Sequence, residues 1–202
     1  MSYAYNFIQG KEGHPVVFAF HGTGGDEHQM VPFSTRVAPD SHLITPRGDV
    51  LENGTALRFF RRFGEGVLDV EDLKFRAGEL ANWFPEPLEK HGLAGLPIHG
   101  IGYSNGASIL GGITLLYPGS FSKVVLLRPM VPFEPDSMPD LSGISALILA
   151  SEEDDITPIA GARRLVEILR AAGAAVEFHV VPGGHGLTQA DVDAAKSFLE
   201  MP

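Results

Sequence analysis

A chain of 202 residues has room for one well-filled core and is short for two ordinary domains, so a single domain over 1–202 is expected. Hydrophobic content of 44% against 20% charged residues is that of a soluble globular protein, and a formal charge of −10 argues against nucleic acid and anionic membrane surfaces as partners. The absence of cysteine removes disulfides, thiolate metal sites and a cysteine nucleophile, and no apolar run reaches the length of a membrane span. The opening Met1–Asn6 has neither the basic residues nor the apolar run of a leader, so a cytoplasmic setting is expected.

Taken in order, Tyr3 to Gln9 reads as a short edge strand, and Val16–Phe20 as a strand buried on both faces. The glycine-rich turn His21-Gly22-Thr23-Gly24-Gly25-Asp26 leads into a helix expected from Glu27 to Val37. Leu43-Ile44-Thr45 is another strand. Residues 46–72 are irregular, with a turn at Glu52-Asn53-Gly54, and an insertion this long is more often functional than accidental. Helical spacing resumes near Leu73 and runs to His91, kinked or divided at Trp83-Phe84-Pro85. Pro97–Ile101 reads as the end of a buried strand and Ala107–Tyr117 as a helix. Lys123–Leu127 and Ala146–Ala150 follow as strands, then a helix over Gly161–Ala172, a strand over Val176–Val181 and an amphipathic helix from Gln189 to Leu199. Thr188 with Asp191 resembles a capping box for that helix. This alternation predicts an α/β fold, a mostly parallel central sheet with helices on both faces, with ligands at the carboxyl ends of the strands.

Between strand and helix stands Gly102-Tyr103-Ser104-Asn105-Gly106, a G-x-S-x-G sequence. Strand, sharp glycine turn and helix make the geometry of a nucleophile elbow, which exposes the serine hydroxyl at a strained tip. A serine needs a base, and the base needs an orienting group. His185, among the glycines of Val181-Pro182-Gly183-Gly184-His185-Gly186, has little to pack against and is the candidate base. His14, His28, His42 and His91 lie in polar stretches and are expected to be solvated. His99 and His179 sit within strands, and His21 is given a structural role. The chain order serine, acid, histidine places the acid in Glu152-Glu153-Asp154-Asp155, and the spacing to Ile156 and Pro158 favours Asp154 over Asp155. The backbone N–H groups of Asn105 and Thr23 are the candidate oxyanion donors.

With these pieces placed, the chain resembles the phospholipase/carboxylesterase family of α/β-hydrolases, and within it the small bacterial branch related to acyl-protein thioesterases. The matching segments are HGTGGDE (21–27), TPRG (45–48), RFFRRFGEG (58–66), GYSNGAS (102–108), DDITP (154–158) and GGHGLT (183–188), in the family's order over nearly the whole length. The resemblance implies a trimmed α/β-hydrolase core and hydrolysis of carboxylic esters or thioesters without a metal or other cofactor. By motif it places a triad on Ser104, Asp154 and His185, with the oxyanion hole at Thr23 and Asn105. The family often has Gln where this chain has Asn105, and the usual proline after the acid is replaced by Asp155. A second carboxylate there is expected to push its neighbour's pKa upward. The resemblance also leaves a homodimer open as the assembly.

The expected substrate is a small-molecule ester of short to medium acyl length, with thioesters and lysophospholipids inside the same class. Within Arg58–Arg62, two readings compete. In one, Phe59, Phe60 and Phe63 pack the insertion down while the arginines face water. In the other, Phe59 and Phe60 wall the substrate pocket and Arg61 or Arg62 meets a substrate carboxylate or pairs with Glu65 or Asp69. Met130 is a further candidate for the pocket lining. Two other functions remain open on the sequence: a non-catalytic binding protein of the same fold, and lactone-opening or perhydrolase chemistry.

Overall fold

The computed structural model describes residues 2–201. Its central sheet has seven strands in the order β1-β3-β2-β8-β9-β10-β11. They are β1 (Tyr5–Ile8), β2 (Val16–Phe20), β3 (His42–Pro46), β8 (Ile98–Tyr103), β9 (Lys123–Leu127), β10 (Ser145–Ala150) and β11 (Ala175–Val180). Only β1 runs antiparallel, against β3; every other neighbouring pair in this sheet is parallel.

The apolar runs are continuous because both faces of the sheet are covered. Phe18, Phe20, Val124, Leu126, Ala146 and Ile148 enter one core cluster, while their alternates Val17, Ala19, Val125, Leu127, Leu147 and Leu149 enter the other. The first cluster is closed by α2 (Val70–Trp83), α3 (Pro85–Lys90), α4 (Asn105–Leu116) and α5 (Ile159–Ala171). The second is closed by α1 (Val31–Val37) and α6 (Gln189–Glu200), which pack on each other. Period-two alternation within an unbroken apolar run is what a two-faced sheet requires. The capping box at Thr188 and Asp191 is present, with both reciprocal bonds made.

Several boundaries differ from the sequence expectation for local reasons. Helix α1 begins at Val31 rather than Glu27, because Asp26 Oδ1 accepts the His28 N–H at 2.9 Å and holds the chain in turns until Pro32 enters the first helical turn. Helix α2 begins at Val70, capped by the Asp69 carboxylate on the Asp72 N–H, and Phe84 separates it from α3. The segment 46–72 is more regular than expected. It contains one hairpin of β4 (Val50–Glu52) and β5 (Ala56–Arg58), and another of β6 (Arg62–Gly64) and β7 (Val67–Leu68). Asn53 and Gly54 turn the first hairpin at φ 51° and 74°. Strands of two or three residues are too short to show alternation, so only the turn was legible.

Two histidines expected in water are not there. His42 lies in the fully buried β3 and accepts the Gly10 N–H at Nδ1, 3.2 Å away. His91 is half-buried, stacked on Phe7 at 3.7 Å between ring centroids and 3.1 Å from the Tyr5 hydroxyl. Polar sequence neighbours conceal both, because burial is set by the layer above rather than by adjacent residues.

Candidate active site

The site is assembled from the carboxyl ends of five neighbouring strands. Strand β8 ends at Tyr103, and Ser104 occupies the next position at φ 54° and ψ −113°, a conformation that costs a residue with a side chain about 1–3 kcal/mol. The turn is held where it is because the Ser104 N–H donates to Leu127 O at 2.8 Å and Ser104 O accepts the Ser108 N–H at 3.0 Å. Glycine is required on both sides. A Cβ on Gly102 would stand 2.4 Å from Gly106 O, and one on Gly106 would stand 2.2 Å from Phe20 O. Backbone meets backbone there, so no rotamer change relieves the clash.

His185 follows β11, and its Nε2 lies 3.0 Å from Ser104 Oγ. Its Nδ1 lies 2.9 and 3.1 Å from the two carboxylate oxygens of Asp154. Asp154 is buried after β10, whereas Asp155 is exposed. Burial works against the charged carboxylate of Asp154, but the Thr157 hydroxyl at 2.6 Å, the Thr157 and Ile156 N–H groups at 2.9 Å and His185 outweigh it. Asp154 is therefore held below the ordinary carboxylate range, the opposite of the upward push expected from Asp155. An ionised Asp154 accepts the Nδ1 proton, which leaves Nε2 as an acceptor for the serine hydroxyl.

The glycine turn after β2 is fastened from two sides. Gln29 Oε1 accepts the Gly22 N–H at 2.8 Å, and the buried His21 ring donates from Nδ1 to Gly22 O at 2.7 Å while Nε2 accepts the Gly48 N–H at 2.9 Å. Burial lowers the His21 pKa, in keeping with a neutral ring that has one donor and one acceptor nitrogen. Thr23 and Ser104 line one cavity, and neither the Thr23 N–H nor the Asn105 N–H is drawn into a hydrogen bond among the described residues. The Asn105 side chain reaches instead into the insertion, where Oδ1 accepts the Phe59 N–H at 2.8 Å.

The cavity over Ser104 has a volume of about 310 Å³. Of the residues expected to border a pocket, Phe60, Arg62 and Met130 line it. Phe59 and Arg61 do not. Phe59 is fully buried beneath the insertion, packed on His21 and Phe20, and the exposed Arg61 pairs with Asp69 at 3.2 Å and Asp72 at 3.5 Å. Phe63, expected to pack inward, is 78% exposed on β6. Arg58 ends β5 and Arg62 begins β6, and the bend at 59–61 between them divides the segment between core, cavity and solvent, which its composition alone does not reveal.

Two arginines escaped the sequence reading. Arg58 is buried in the cavity wall rather than facing water. Arg128, after β9, is 1% exposed at φ 53°, forms a two-pronged ion pair with Asp191 at 2.7 and 3.2 Å, and donates to Gly184 O at 3.0 Å and Gly186 O at 3.2 Å. Tyr103 donates to His185 O at 3.2 Å, and the Ser151 hydroxyl donates to Gly183 O. Four consecutive carbonyls, from Gly183 to Gly186, are thus gripped by side chains from the ends of β8, β9 and β10. The only signal in the sequence was an arginine directly after a buried strand.

No family model matches the chain. Among curated proteins the chain is similar to "Putative hydrolase MhqD" of Bacillus subtilis (strain 168), 36% identical over 185 residues that cover 92% of each chain. The chain belongs to the phospholipase/carboxylesterase family of α/β-hydrolases. Among solved structures this family member is similar to the Bacillus cereus carboxylesterase, 37% identical with a TM-score of 0.94 over 98% of this chain and 93% of that one. The carboxylesterase from Mesorhizobium loti is 30% identical, with a TM-score of 0.92 over 99% and 95% of the two chains. The protein is a hydrolase of the carboxylic-ester class. No helix among the described residues is long and apolar enough to cross a membrane.

Proposed function

We propose that the protein cleaves small esters through an acyl-enzyme on Ser104, with His185 as base and acid and Asp154 as its orienting group. The observation that carries this reading is the unbroken relay from Asp154 to His185 Nδ1 and from His185 Nε2 to Ser104 Oγ, all contacts within 2.9–3.1 Å. Ser104 Oγ attacks the ester carbonyl carbon as its proton passes to Nε2. The oxyanion that forms is held by the Thr23 and Asn105 N–H groups, which have no competing partner among the described residues. Collapse expels the alcohol, which takes the Nε2 proton. Water then attacks the acyl-serine by the same route in reverse and releases the acid.

The size of the cavity supports short to medium acyl groups, since about 310 Å³ is at the small end of ligand pockets. An acyl-chain series of aryl esters and acyl thioesters measures this, with kcat/KM expected to fall once the acyl group exceeds the cavity. The decisive test of the mechanism is covalent labelling by a fluorophosphonate. Wild type is expected to take one label on Ser104. Ser104→Ala should take none and lose on the order of 10⁴-fold or more in kcat. Full activity in Ser104→Ala would end the proposal.

A further inference from the structure

Arg58 is buried to 3% exposure in the wall of the cavity that holds Ser104, and its hydrogen bonds go to neutral acceptors. Its Nε–H donates to Phe60 O at 3.1 Å and its Nη1–H to Thr23 Oγ1 at 2.6 Å. Nη2 has no hydrogen-bond partner among the described residues. The nearest carboxylate, Glu52, stands 3.8 Å from Nη1 and gives both oxygens to Arg62, at 2.6 and 3.0 Å. Two guanidinium groups therefore share one carboxylate. Glu65, the acid that lines this cavity, is exposed to water and makes no ion pair with either arginine among the described residues. The Phe60 ring, 5.6 Å from the guanidinium carbon, offers only the weaker attraction of its face.

A buried cation without a full counter-charge is costly, and the cost falls when a ligand brings the missing charge. Burial and the neighbouring Arg62 pull the Arg58 guanidinium down to about 10, with Glu52 opposing, so it stays charged at neutral pH. The unpartnered Nη2 offers its N–H groups to a carboxylate, and such a charge-assisted hydrogen bond is among the stronger ones a guanidinium makes. The net charge of −10 does not prevent this, because screening over roughly 8 Å leaves the local cation to dominate inside the cavity.

We propose that Arg58 is the docking point for a carboxylate carried by the substrate, so that the enzyme selects esters bearing a free acid near the scissile carbonyl. This rests on the Ser104 mechanism proposed above and specifies its substrate class. The acid sits on either the acyl or the alcohol side, and the test has an arm for each.

The acyl arm compares the mono-4-nitrophenyl ester of glutaric acid with 4-nitrophenyl 5-methylhexanoate, in which isopropyl replaces carboxylate. The alcohol arm compares 4-butyryloxybenzoate with the butyrate of 4-isopropylphenol. In at least one arm wild type is expected to favour the acid by about tenfold or more in kcat/KM, allowing for leaving-group reactivity measured with hydroxide. Arg58→Met should erase that preference, Arg58→Lys should keep part of it, and Arg62→Gln should keep most of it. If Arg58 merely braces Thr23, Arg58→Met lowers both esters of a pair equally and the ratio stands, which overturns the proposal. A wild-type ratio near one in both arms overturns it without any variant. Failure of the Ser104 mechanism is told apart by absent fluorophosphonate labelling and no turnover of any of the four esters.

Discussion

At Asp154, one carboxylate receives three hydrogen-bonding groups from within three residues of sequence, the Ile156 N–H, the Thr157 N–H and the Thr157 hydroxyl, and one long-range partner, His185. These bonds favour the ionised form, so its pKa in the fold lies below its unfolded value near 3.9. A carboxylate lowered in this way contributes stability that is fully present above the unfolded value and is lost as pH falls through the lowered one. Thr157→Val removes the hydroxyl bond at 2.6 Å while keeping the side-chain shape. The variant is expected to lose about 1.5–3 kcal/mol at pH 7, the range for hydrogen bonds to charged groups. Denaturant melts at descending pH should show the gap to wild type closing as Asp154 takes up its proton. A gap that stays constant from neutral to strongly acid pH would mean that the hydroxyl stabilises something other than the charge.

The loop from Gly183 to Gly186 is a connecting element whose geometry is imposed from outside. Its glycines supply no packing, and Arg128, Tyr103 and Ser151 hold its carbonyls in place. Arg128 also ties the loop to the start of α6, because Asp191 pairs with it and caps the Thr188 N–H at 2.7 Å. Arg128→Met leaves Asp191 buried without its cation, which typically costs about 3–5 kcal/mol. The expected result is a lower melting temperature and slower fluorophosphonate labelling of Ser104, with KM for a small neutral ester changed less than kcat. An Arg128→Met protein that melts lower but labels at the wild-type rate would reduce Arg128 to a purely structural part.

At the scale of the whole molecule, two buried histidines are expected to make the fold less stable in acid. His99, 8% exposed on β8, is pushed down from 6.5 to about 4 by burial and by Lys123, and burial also lowers His21. Such rings stay neutral in the fold while the unfolded chain takes up protons below pH 6.5, so stability falls as pH drops from 6.5 towards 4. His99 alone should withdraw about 2 kcal/mol between neutral pH and pH 5. His99→Leu is expected to flatten that part of the pH–stability curve in thermal melts. Equal losses in wild type and variant between pH 7 and pH 5 would assign the loss in acid to other groups.

Much of this architecture was legible beforehand because it is written in local signals. Val16–Phe20 and Ala146–Ala150 are too apolar and too short for anything but doubly covered strands, and the flanking glycines of Ser104 mark a turn that admits no side chain. Ser104, Asp154 and His185 could each be named from a strand end and a turn. The sequence by itself thus determined the layered α/β order and which side chains stand at the carboxyl edge of the sheet. Only the tertiary structure decided which residues of the 46–72 insertion face the cavity, that Arg58 and Arg128 are buried, and that His42 lies inside. Those outcomes depend on what packs above each position, and a chain records its neighbours along the backbone rather than those across a layer.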